Sequence, residues 1–160
     1  MGDNAQEDCI PFKGPFKGKG QNRKAMRLLD VEMDAIREEM AQLVDRYNAV
    51  FHSTPRPVNL RVLGRPSAHT LLNWRQATHS GSYLQLFGSE AGDQILSRLG
   101  QNAVRLLAQF DLERLRLNFR CKLIWSARHA YQLYQEGMDH QEAWFDADHL
   151  QSGSFRSTGS

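Results

Sequence analysis

Leu28, Leu29, Val31, Met33, Ile36, Met40, Leu43, Val44 and Tyr47 recur mostly at spacings of three and four. That is the single apolar stripe of a long helix with one face turned to a core. Asn22 supplies a side-chain oxygen suited to cap its first free amides, and Ser53, Thr54, Pro55 and Pro57 close it near His52. The period then changes. Val58, Leu60 and Val62 alternate with Asn59 and Arg61, and Leu72 and Trp74 alternate with Leu71, Asn73 and Arg75. Alternation predicts two half-buried strands, and Gly64, Pro66 and Ser67 between them give the turn of a β-hairpin. One face of that hairpin is apolar. The other gathers Asn59, Arg61, Asn73 and Arg75, while Trp74, in phase with Leu72, is expected in the core.

Beyond the hairpin, Tyr83, Leu84, Leu86 and Phe87 suggest a helical turn packed on the core. A helix from about residue 92 to 110 is expected to bury Ile95, Leu96, Leu99, Val104, Leu106 and Leu107, weakened at Gly100. Asp111 is placed to cap a last helix reaching Glu136, with Leu112, Leu115, Phe119, Leu123, Ala130 and Leu133 on its buried stripe and Gly137 at its end. At 160 residues the chain is sized for one core. The expected architecture is a mostly helical α+β fold, with two or three long helices packed on a small hairpin. Residues 1–21 form an extended basic arm, 22–137 a single domain, and 138–160 an acidic extension with a flexible tail.

The charges are segregated although they nearly cancel, at a formal net of +2. Lys13, Lys17, Lys19, Arg23, Lys24 and Arg27 stand in a stretch without acids, whereas Asp30, Glu32, Asp34, Glu38, Glu39 and Asp45 follow against Arg37 alone. The arm repeats Pro-Phe-Lys-Gly, in IPFKGPFKGKG. A glycine-rich, lysine-bearing loop opening a helix suits an anion, because free backbone N–H groups and the helix dipole favour negative charge there. It is not a nucleotide-binding P-loop: Gly14, Gly18 and Lys19 have one residue too few between the glycines, and Gly20 stands where Ser or Thr would hold magnesium. Nucleic acid fits better. Lys13, Lys17, Lys19, Arg23 and Lys24 can neutralise phosphates, and Phe12 and Phe16 can stack on unpaired bases or else pin the arm to the core. Arg61 and Arg75 form a second candidate contact surface, and Arg114, Arg116, Arg120, Lys122 and Arg128 can extend it or pair with the acidic segment 30–45.

No enzymatic chemistry is indicated. The histidines show neither HxH nor HExxH spacing, and Cys9 and Cys121 form no CxxC pair, so no cofactor, metal or disulfide framework is expected. Cys121 reads as a small buried hydrophobe on a helix. The polar, acidic start MGDNAQED is unlike a secretory signal, and no apolar run approaches the ~18 residues of a membrane span. The expected location is the cytoplasm.

The stretches GPFKGKG at 14–20, LLNWR at 71–75 followed by YLQLF at 83–87, and RLRLNFRCKLIWSARHA at 114–130 resemble a family of small proteins of bacterial integrating conjugative elements, some labelled integrase regulator R. The resemblance spans most of residues 10–137, while Trp125 and the acidic stretch 138–150 depart from it. Genes of such elements stand beside others for partition, single-strand binding and topoisomerase functions. The resemblance therefore implies a DNA-maintenance or transfer role, either by binding DNA or as an adaptor for a replication, partition or recombination protein.

Overall fold

A computed structural model of the chain describes residues 18–52, 56–64, 70–77 and 82–152, the last five by their backbone alone. In chain order they form α1 (Gly18–Val50), β1 (Val58–Leu63), β2 (Leu71–Gln76), β3 (Tyr83–Leu84), α2 (Glu90–Leu96) and α3 (Gln101–Ser152). The fold is mostly helical α+β, with two long helices and one small antiparallel sheet ordered β1-β2-β3. Contacts divide the chain into two units. One is Asp30–Ser126, which carries the sheet; in the other, the terminal unit, the described residues are 18–29 and 127–152.

In the sheet-bearing unit the α1 stripe buries Met33, Ile36, Met40, Leu43 and Tyr47 against Val58 and Leu60 of β1, Leu72 and Trp74 of β2, and Leu107, Phe110, Leu117 and Cys121 of α3. The hairpin register pairs Leu60 with Trp74 and Val62 with Leu72, and alternation turns Val58, Leu60, Leu72 and Trp74 inward, while Val62, near the far end of β1, stays exposed. Tyr47 sits at the centre. Its ring meets Trp74 and Phe110 edge to face at 5.3 and 5.4 Å, a favoured aromatic geometry. Its hydroxyl donates to the Val58 carbonyl, tying the end of α1 to the start of β1.

Polar side chains of α3 complete the sheet. Trp74 Nε1 donates to Asp111 Oδ1 at 2.6 Å, and Arg114 Nε donates to the same oxygen at 2.8 Å. Asn118 accepts from the Leu72 amide at 2.7 Å and donates to the Leu72 carbonyl at 2.8 Å. Because β3 pairs only with Trp74 and Arg75, the edge of β2 at Leu72 is open, and the Asn118 amide satisfies it as a neighbouring strand would.

Several sequence expectations change here. YLQLF opens as strand β3, because Tyr83 and Leu84 find ladder partners on β2. The helix expected over 92–110 is broken between Ser97 and Gly100, where α2 ends on short bonds from Arg98 to Ile95 and Leu99 to Leu96, and the Gly100 carbonyl starts α3. Asp111 caps nothing; it lies inside α3, committed to Trp74 and Arg114. The stripe Leu112, Leu115, Phe119 and Leu123 is exposed, and α3 buries Leu107, Phe110, Leu117 and Cys121 instead. Leu28 and Val31 are likewise exposed.

In the terminal unit α1 begins at Gly18, so Asn22 is a second-turn residue rather than a cap. It is buried and donates to Tyr131 O at 3.2 Å and Gln135 Oε1 at 2.9 Å. Leu29 and Tyr131 are buried in this unit as well. α3 does not stop at Gly137. It runs on through the acidic segment, since a glycine costs a helix only about 1 kcal/mol relative to alanine.

Candidate nucleic-acid interface

The cationic candidates fall in both units, and each set has its own geometry. In the terminal unit Lys19 stands in the first turn of α1, where its charge opposes the helix dipole unless an anion balances it. Asp139 at 2.7 Å and Glu142 supply that balance. Hydrogen bonds to Asp139 and Glu142 raise the lysine above its ordinary pKa, and those from Lys19 and Gln135 hold the Asp139 carboxyl below the usual carboxylate range. Arg23 and Lys24, one turn on, are exposed and make no ion pair among the described residues. Phe12, Lys13, Phe16 and Lys17 lie outside the described residues.

In the sheet-bearing unit the outward face of the hairpin is ordered by the same alternation that fills the core. The register sets Asn59 beside Arg75 and Arg61 beside Asn73, and Arg75 in turn pairs with Tyr83. The Arg75 guanidinium lies 4.9 Å from the Tyr83 ring centroid, within cation–π range. That ring is 64% exposed. The Arg75 Nε is buried without a hydrogen-bond partner among the described residues, and the guanidinium is held by stacking on the ring. Arg61 is exposed, and β1, β2 and β3 contain no acid. Beside this face an open groove of about 440 Å³ runs between α1 and the edge strand β1, lined by Asp45, Asn48, Arg56, Asn59 and Arg61 among others.

The bases of α3 are less uniform than their sequence suggests. Arg114 pairs with Asp111 and contacts Leu72 O, while Arg120 bridges Glu32 and Glu39 of α1 at 2.9 and 2.7 Å. Both are structural. Arg116 and Lys122 remain exposed. Sequence reasoning missed Tyr83, whose only signal was an aromatic at the start of a short apolar cluster. No grouping of His, Cys, Asp and Glu able to hold a metal occurs among the described residues, and no described helix is long and apolar enough to cross a membrane.

A cationic plane stacked on an exposed aromatic ring, flanked by amides and the exposed Arg61, can grip phosphate and offer a π-face to an unpaired base. Compared with protein-family models, curated proteins and solved structures, the chain matches none.

Proposed function

We propose that this protein is a non-enzymatic DNA-binding accessory factor of an integrating conjugative element, acting in element maintenance, transfer or regulation of integration. The observation that carries the DNA contact is the Arg75–Tyr83 stack on an acid-free sheet face with Arg61 alongside. Single-stranded DNA suits it best, because an exposed ring on a sheet can stack on an unpaired base but not on the interior of a duplex. Arg61 and Arg75 take phosphates. Lys19, Arg23 and Lys24 add charge at the start of α1, as do Lys13 and Lys17 of the arm, while Phe12 and Phe16 add stacking rings. Lys19 contributes only when Asp139 and Glu142 release it. The mobile-element setting rests on the family resemblance, and the phosphate chemistry on these side chains.

The test is fluorescence anisotropy of labelled single-stranded and duplex DNA at low and moderate salt. Single-stranded DNA binds more tightly, and its affinity falls with salt at a slope of about −0.7 per phosphate neutralised. Tyr83→Ala costs about 1–3 kcal/mol of binding, the usual worth of one stacked base. Arg61→Ala lowers the salt slope by about one contact. If neither form binds at low salt, or if Tyr83→Ala and Arg61→Ala bind as the parent does, this surface is not the DNA site.

A further inference from the structure

Within the sheet-bearing unit α3 has three committed directions and one open one. Leu107, Phe110, Leu117 and Cys121 face the core; Asp111, Arg114 and Asn118 serve the sheet; Glu113 and Arg120 pair with Arg46, Glu32 and Glu39 of α1. The remaining side carries Leu112 at 70% exposure, Leu115 at 50%, Phe119 at 64% and Leu123 at 52%. Their spacings of three, four and four set them in one line down the helix. A solvated helix face is normally polar, so four large apolar side chains in a row mark a surface that is covered in use.

Its borders decide what covers it. Arg105, Arg116 and Lys122 flank the stripe, all exposed and none in an ion pair among the described residues. The acids of this stretch, Asp111 and Glu113, are already paired with Arg114 and Arg46, Glu113 in a pocket on the α1 side that Arg116 also lines. A second copy docking by the same face would bring bases against bases. DNA would satisfy the bases but gain nothing from leucine and phenylalanine side chains. An apolar line at helical spacing edged by unpaired cations is complementary to a helix with one apolar side and carboxylates beside it.

We infer that this outer face of α3 docks an acidic amphipathic helix of a partner protein, its apolar side on the Leu112–Leu123 line and its carboxylates on Arg105, Arg116 and Lys122. The surface is separate from the sheet face assigned to DNA, so the protein carries a protein-docking site in addition to a nucleic-acid site.

The experiment uses the full chain and labelled helical peptides of about 18 residues, long enough to cover the stripe at 1.5 Å per residue. One peptide has leucines at i, i+3, i+4 and i+7 with glutamates beside them, a second has the same leucines with lysines, and a third is the first scrambled. The glutamate peptide binds saturably at one per chain, and the other two do not. Phe119→Ser and the pair Arg116→Glu with Lys122→Glu each weaken it by about tenfold or more, the range of a lost interface anchor. The charge-reversed pair gains the lysine peptide. Because all these positions are solvent-exposed, the variants melt within a few degrees of the parent. The inference is overturned if both leucine peptides bind alike, if the glutamate peptide does not bind, or if the chain dimerises and Phe119→Ser dissociates it. Loss of single-stranded DNA binding in these variants overturns it too, since DNA then lies on this face. Tyr83→Ala leaves peptide binding unchanged, which separates failure here from failure of the DNA site.

Discussion

Tyr47 shows how one side chain couples helix, sheet and solution conditions. Its hydroxyl is buried among Phe51, Trp74 and Phe110 and donates to Val58 O, and burial pushes its pKa up to about 12. In the unfolded chain the phenol titrates near 10. The native state therefore keeps a proton that the unfolded state gives up, and the stability this group contributes is present below pH ~10 and lost as pH rises towards ~12. Two pKa units correspond to about 3 kcal/mol. Denaturant melts from pH 9 to 12 should show that loss. Tyr47→Phe should be less stable at neutral pH by about 1–3 kcal/mol, because Val58 O loses its buried donor, yet show a correspondingly shallower alkaline decline. Equal declines in parent and variant would mean that other groups titrate the fold.

At the scale of elements, two glycines in helices should respond oppositely to the same change. A methyl at Gly92 would lie 2.1 Å from Leu86 O, backbone that cannot step aside, so α2 must shift and Gly92→Ala should cost about 3 kcal/mol. At Gly137, inside α3, nothing lies within 4 Å, and Gly137→Ala should stabilise by up to about 1 kcal/mol. Thermal melts followed by circular dichroism read both signs. The contrast also shows what the sequence could reveal. Long α1, the hairpin and the inward Trp74 were legible because their periods are local. For α3 the period was ambiguous, since Leu107, Phe110, Leu117 and Cys121 make one apolar line and Leu112, Leu115, Phe119 and Leu123 another, and only the sheet and α1 choose between them. Asp111 looked like a cap because its role depends on Trp74, far along the chain. Arg61 and Arg75 could be placed on one face by alternation. Tyr83 could not, because a two-residue strand has no period and its place beside Arg75 exists only in the ladder.

For the molecule as a whole, the two units differ in what holds them. The sheet-bearing unit contains the large side chains with almost no exposure, among them Ile36, Met40, Leu43, Tyr47, Leu72, Trp74 and Leu107. Among the described residues of the terminal unit the buried side chains are Asn22, Leu29, Tyr131 and Gln135, half of them polar, with the exposed Lys19–Asp139 and Lys19–Glu142 pairs outside them. Local opening free energy follows buried apolar contact, and solvent-exposed ion pairs are weak and screened by salt. Amides of residues 33–47 and 107–121 should therefore exchange with deuterium only through global unfolding. Those of residues 22–29 and 131–147 should exchange through a cheaper local opening, orders of magnitude sooner at neutral pH. Acid should widen the gap. The contribution of Asp139 is present above the ordinary carboxylate range near pH 4 and is lost as pH falls through its depressed native value, freeing Lys19 and loosening only the terminal unit. After correction for the intrinsic pH dependence of exchange, mass spectrometry of peptides from both ends of α3 reads the difference within one helix. Uniform protection from Leu107 to Tyr134 would mean that α3 opens as a single body and that the two units are one in energetic terms.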